Sequence, residues 1–149
     1  MRINTKRMYR QTLVLFIILA TSISCNRDDT PTAQEQVTKT LTSATAWQNP
    51  VVTVDGVDYS DVYKDFSITF GKNTYTTQSG DPVWKTSGSW AFANEDATLL
   101  KLDGATEVEI NSITSDVLEL SLQWSEDSFE PGRVTSVKGK NKFKLKKKL

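Results

Sequence analysis

Hydrophobic and polar residues alternate with period two along most of this chain. The clearest run is 117–124, where Leu118, Leu120, Leu122 and Trp124 fall on one face and Glu119, Ser121 and Gln123 on the other. Phe66, Ile68 and Phe70 alternate with Ser67 and Thr69, Gly71-Lys72-Asn73 interrupts, and Thr74-Tyr75-Thr76-Thr77 resumes, which reads as a hairpin. The pairs Trp90/Phe92, Leu100/Leu102, Val108/Ile110 and Phe143/Leu145 continue the pattern. Asn94-Glu95-Asp96, Asp103-Gly104 and Ser115-Asp116 supply turns between them. The expected strands are 46–54, 65–71, 73–78, 85–93, 97–102, 105–114, 117–125 and 133–146. One stretch has a helical period: Val37 and Leu41, four apart, predict one to two turns over 34–42. No helix separates any two strands, which excludes parallel crossover units and favours an antiparallel meander. One-sided strands can form two packed sheets or one sheet closed on itself. Closure is preferred for about eight up-and-down strands because it leaves no exposed edge, and the short N-terminal helix then covers one open end. The expected fold is thus an all-β, antiparallel up-and-down β-barrel.

The N-terminus has a different pattern. Arg2, Lys6, Arg7 and Arg10 precede the apolar run Leu13 to Ala20, and small residues lead to Cys25. These are the basic, apolar and cleavage regions of a secretory signal. The apolar run is about half the ~20 residues of a spanning helix. Ser22-Ile23-Ser24-Cys25 resembles the lipobox of bacterial lipoproteins, with Ser22 where that motif usually has a large aliphatic residue. The resemblance implies cleavage before Cys25 and its acylation by chains such as palmitate. A lone exported thiol otherwise has no partner, and multiple acyl chains anchor a domain stably. The acidic pair Asp28-Asp29 resembles the export signal of Bacteroidota surface lipoproteins, and it also reads simply as a solvated tether. The expected organisation is a lipoprotein-type signal peptide over 1–24, lipidated Cys25 and a flexible tether over 25–33, and one β domain over 34–149.

Charge sharpens this division. The 149 residues hold 18 basic and 18 acidic side chains, yet residues 25–132 carry six basic against 18 acidic, while 133–149 carry eight basic and none acidic. Lys140, Lys142 and Lys144 alternate with Asn141, Phe143 and Leu145, so the lysines form the wet face of a last strand. That face can be solvated, lie against anionic lipid or polysaccharide, or oppose acidic neighbours on adjacent strands. Nucleic acid is not an expected partner of an exported lipoprotein.

Gly88-Ser89-Trp90, followed by Ala91-Phe92, and the run from Leu99 to Leu122 resemble the lipocalin-like domains of small Bacteroidota lipoproteins. Those domains have a leader ending in Cys, a short helix, a first strand carrying Trp and a central Gly-x-Trp strand. At the first strand this chain reads Thr45-Ala46-Trp47, without the glycine. The resemblance implies a lipocalin-like barrel on the outer membrane, facing the periplasm or the cell surface, and carries over no ligand-site residue.

The candidate chemistry is limited. The chain has no histidine, and its one cysteine is assigned to the anchor, which leaves nothing for a catalytic triad or a zinc site. Neither catalytic activity, a cofactor nor a metal is expected. Asp55, Asp58, Asp61 and Asp65 crowd one loop, but the spacing is not that of an EF-hand, and a solvated loop is the simpler reading. Trp47, Trp84, Trp90 and Trp124 either fill the barrel or line a ligand site, and Trp84, next to Gly80-Asp81-Pro82, is the one expected to be exposed. Two functions remain open: a tethered module binding a small apolar ligand or glycan inside or at the mouth of the barrel, or a structural or interaction subunit of an envelope complex.

Overall fold

The computed structural model describes residues 30–127 and 136–148. The expected signal peptide, Cys25 and most of the expected tether lie outside the described residues, as do the first positions expected in the last strand, 133–135. Pro31–Leu149 is a compact unit, and the whole described core from Leu41 to Leu145 is built within it.

Helix α1 spans Ala33–Thr42. Its start is set by a capping box: Thr32 Oγ1 accepts from the Glu35 N–H at 3.2 Å, and the Thr32 N–H donates to Glu35 Oε2 at 2.8 Å. Nine strands follow: β1 Ala46–Val54, β2 Val57–Asp58, β3 Ser67–Phe70, β4 Thr74–Gln78, β5 Ser87–Phe92, β6 Leu99–Leu102, β7 Thr106–Ile113, β8 Val117–Trp124 and β9 Gly139–Lys148. All pair antiparallel in chain order from β3 to β9, and β1 lies between β3 and β9, closing an eight-stranded barrel. The predicted alternation, turns and short helix are all found.

The structure departs from these expectations in three places. Asp55 and Gly56 both take positive φ, which turns the chain straight back and adds the two-residue β2 to the end of β1, where an open loop was expected. The last strand begins at Gly139, opposite Trp124 where β8 ends, and the described residues 136–138 before it are not strand. Ser121 alternates onto the outer face as expected, yet it is 0% exposed. Its Oγ lies 2.9 Å from Glu109 Oε2 and 3.2 Å from Asn111 Oδ1, the latter at a β7 bulge that brings an extra polar side chain over it.

Both ends of the barrel are closed by chain segments. At one end, Leu41 of α1 is fully buried and Trp47 Nε1 donates to its carbonyl at 3.0 Å, which fixes the end of the helix over the opening. At the other, the 59–66 segment turns through the bonds Tyr63 N–H to Ser60 carbonyl (3.2 Å) and Phe66 N–H to Tyr63 carbonyl (2.9 Å). It delivers Tyr63 and Phe66 inward, where they meet Phe143 at ring-centroid distances of 5.1 and 5.2 Å. Between these plugs Val52, Ile68, Leu100, Val108, Leu118, Leu120 and Leu145 are fully buried. Burying each such side chain is worth about 1.5–3 kcal/mol, and contacting aromatic pairs add about 0.5–1.5 kcal/mol.

Candidate functional site

The four tryptophans do not converge. Trp84 is 2% exposed, contrary to its expected exposure. The turn that begins at Gly80 folds back into the barrel, with the Trp84 N–H bonded to the Gly80 carbonyl at 2.9 Å, and the ring lies tilted on Phe66 (5.7 Å) and edge-to-face with Phe143 (5.5 Å). Trp47 is buried beneath α1, and Trp124 is partly buried where β8 ends, near the other opening. Trp90, at the α1 end, packs between Phe70 (5.9 Å) and Phe92 (5.2 Å). Of the four, Trp90 borders a surface recess.

That recess, about 680 Å³, lies between α1, the β3–β4 turn and the end of β5. Its walls follow from local bonding. Trp90 Nε1 donates to the Gly71 carbonyl at 3.0 Å and the Trp90 N–H to the Asn73 carbonyl at 2.9 Å, so the indole holds the turn that carries Lys72 and Asn73 to the rim. Gln34 Nε2 donates to the Asn94 carbonyl at 2.9 Å and ties the opposite wall, α1, to the β5–β6 turn. Phe92 and Ala91 form an apolar floor, and Lys39, Lys72, Asn73 and Thr38 supply polar groups around it. A second groove of about 550 Å³ runs along the other flank of α1 and includes Pro31, Ser43, Ser115 and Lys147. Lys72, Asn73 and Phe92 were legible in the sequence only as a turn and the end of a strand, because nothing local tells which turn faces the helix.

Several titratable groups away from the recess are held by local bonds. Asp55 Oδ1 accepts from the Lys140 N–H at 2.8 Å, and Asp58 Oδ1 accepts from the Ser60 N–H (2.8 Å) and hydroxyl (2.6 Å). The Ser60 hydroxyl and N–H hold the Asp58 carboxyl below its ordinary range. Among the described residues no three acidic or cysteine side chains gather as metal ligands. Asp103, at positive φ after β6, accepts from the Ser89 N–H at 2.8 Å and pairs with Lys85 at 3.1 Å. The Ser89 N–H first, then Lys85, holds its carboxyl below the ordinary carboxylate range. Tyr75, whose hydroxyl donates to Asp103 Oδ2 at 3.3 Å, is pushed up to about 12 by burial and by that carboxylate. This cluster explains the Gly-x-Trp motif: a Cβ at Gly88 would collide with the Asp103 carboxylate and stand 2.8 Å from Tyr75 Cε1. The glycine is there for close approach across strands.

On the outer face, Lys144 pairs with Glu119 at 2.8 Å and Lys140 with Glu109 at 3.4 Å. Ser121, then Lys140, holds the Glu109 carboxyl below its ordinary range. The acidic neighbours expected across from the last strand therefore exist for two of its lysines. Lys142, Lys146 and Lys148 make no salt bridge among the described residues. No protein-family model, curated protein or solved structure matches this chain.

Proposed function

We propose that this chain is an exported, non-enzymatic lipoprotein, acylated at Cys25 on the outer membrane, whose lipocalin-like barrel binds a saccharide in the recess at its α1 mouth. The observation that carries the reading is where free space lies: aromatic rings in mutual contact occupy the interior, and a recess of about 680 Å³ opens outside it. That volume is in the range of small-ligand sites. An aromatic floor beneath amide, hydroxyl and ammonium groups suits a sugar ring, which presents an apolar C–H face and polar edges. The interior packing favours a polar ligand at the mouth over an apolar one inside. The second reading, an interaction subunit of an envelope complex, draws on Val57 and Val62, 61% and 42% exposed beyond the opposite end.

Titration of the Pro31–Leu149 unit with a panel of oligosaccharides, read by tryptophan fluorescence, tests the site. Trp90 borders the recess, so a bound sugar is expected to shift the emission, and Phe92→Ala is expected to weaken binding about tenfold or more. A panel with no binder, or a binder indifferent to Phe92→Ala and Asn73→Ala, overturns the saccharide site. The anchor is tested separately: fatty-acid label is expected in wild type and absent from Cys25→Ala, and equal labelling removes it.

A further inference from the structure

The lysines of β9 are not equivalent. Alternation points Lys140, Lys142, Lys144, Lys146 and Lys148 outward, and all five are exposed. Glu109 and Glu119, from β7 and β8, neutralise Lys140 and Lys144 on one side. On the other side lies β1, whose outward positions opposite β9 are Gln48, Val51 and Thr53, followed by Ser67 and Thr69 of β3. None of these is acidic. Four further acids border the stripe: Asp55, whose Oδ1 accepts from the Lys140 N–H at 2.8 Å, Asp58, opposite Thr53 and bonded to Ser60, Asp65, which shares a groove with Gln48 and Ser67, and Asp116, whose carbonyl accepts from the Lys147 N–H at 2.9 Å; none of the four forms a salt bridge with a β9 lysine among the described residues. Lys142 also acts on Glu109 through space, without a salt bridge. Val51, 55% exposed, stands opposite Lys144 amid this cationic surface.

We propose that the outer face of β9 and β1 docks on anionic lipid headgroups, with Lys142, Lys146 and Lys148 meeting phosphates and Val51 entering the headgroup layer. Charge complementarity defines the partner as an anion-bearing surface. The choice of a lipid surface over a soluble polyanion comes from the tether and rests on the acylation of Cys25. Pro31, where the chain enters the barrel unit, shares a groove with Ser115 and Lys147, at the Lys146–Lys148 end of β9. The six residues from Cys25 to Pro31 span at most about 20 Å, so an anchor at Cys25 keeps that end near the bilayer. β5 is four strands from β9 in the ring of eight, on the opposite side of the barrel. Docking through β9 therefore turns the β5 recess away from the membrane.

The test uses the Pro31–Leu149 unit, which carries no acyl group, in co-sedimentation with vesicles of phosphatidylcholine containing one third phosphatidylglycerol. Binding is expected to these vesicles and not to pure phosphatidylcholine, and to weaken as salt rises. Each headgroup-facing lysine contributes about fivefold, so Lys142→Gln with Lys146→Gln is expected to lose on the order of thirtyfold. Lys85→Gln with Lys101→Gln, which removes the same charge from the β5–β6 side of the barrel, is expected to lose less than threefold. Absence of binding, equal losses in the two pairs, or displacement of bound protein by a soluble polyuronate at matched charge overturns the proposal. Because the unit lacks Cys25, failure here is distinct from failure of acylation, which fatty-acid labelling reads, and of the recess, which the sugar titration reads.

Discussion

Replacing Trp47 and Trp84 in turn by Phe makes the same chemical change at two buried indoles that differ in one bond. Each swap removes the pyrrole portion and leaves a small void, at a cost of about 1–2 kcal/mol. At Trp47 the swap also removes the 3.0 Å bond from Nε1 to the Leu41 carbonyl, one of the last carbonyls of α1 and without an intrahelical partner. Leaving that acceptor buried and unpaired adds about 1–3 kcal/mol. At Trp84, Nε1 meets no acceptor among the described residues, so removing it relieves a buried donor and offsets much of the void. Trp47→Phe is therefore expected to cost about 2–4 kcal/mol more than Trp84→Phe. For a unit of this size that separates the two melting temperatures by about 8–16 °C. Urea unfolding of the barrel unit followed by far-ultraviolet circular dichroism, with matched slopes, measures the gap. Equal destabilisation within about 0.5 kcal/mol would refute the role given to the hydrogen bond. Since α1 is a wall of the recess, Trp47→Phe should also weaken sugar binding while Trp84→Phe leaves it intact.

Gly88→Ala is expected to lose about 2–4 kcal/mol in the same assay, because the added Cβ displaces Asp103 and its bond from the Ser89 N–H; a loss below about 0.5 kcal/mol would show that the loop moves freely. Acid should destabilise the barrel. Asp103 and Glu109 are held below the usual 3.8 and 4.5, so their stabilisation is present above those values and disappears as pH falls through the lower folded ones. Urea midpoints from pH 7 down to 2 should fall in that range, and less steeply in Asp103→Asn. Tyr75 gives the opposite sign: its stabilisation is complete below pH 10 and is lost as pH rises toward about 12. A late phenolate step at 295 nm that disappears in Tyr75→Phe checks it.

The strands were readable because alternation is a local property: with one face dry, a one-residue slip would move Leu118, Leu120 and Leu122 into water, so the pattern fixes which side of each strand is inside. The turns were readable for the same reason, since Asp103-Gly104 and Gly71-Lys72-Asn73 carry their conformational preference in two or three residues. Even β2 had a local signal, Asp55-Gly56, which read as a loop because the two residues after it are too few to show a period. The fate of Trp84 had none. Its neighbours Gly80 and Pro82 announce a turn, and whether a turn points outward or folds under Phe66 and Phe143 depends on rings that arrive from elsewhere in the chain.

Sequence by itself determined the eight-strand meander, the inward and outward faces, the short helix, and the concentration of positive charge on the last strand, because each rests on periodicity or on composition along a few consecutive residues. Tertiary structure decided what those elements meet. Closure sets Val52 of the first strand beside Phe143 of the last, a pairing with no local signature. The same closure sorts the lysines, two to carboxylates on β7 and β8 and three toward an uncharged β1, and it lays α1 against one particular turn to form the recess. Those outcomes depend on neighbours brought together across the barrel, where distance along the chain says nothing about distance in space.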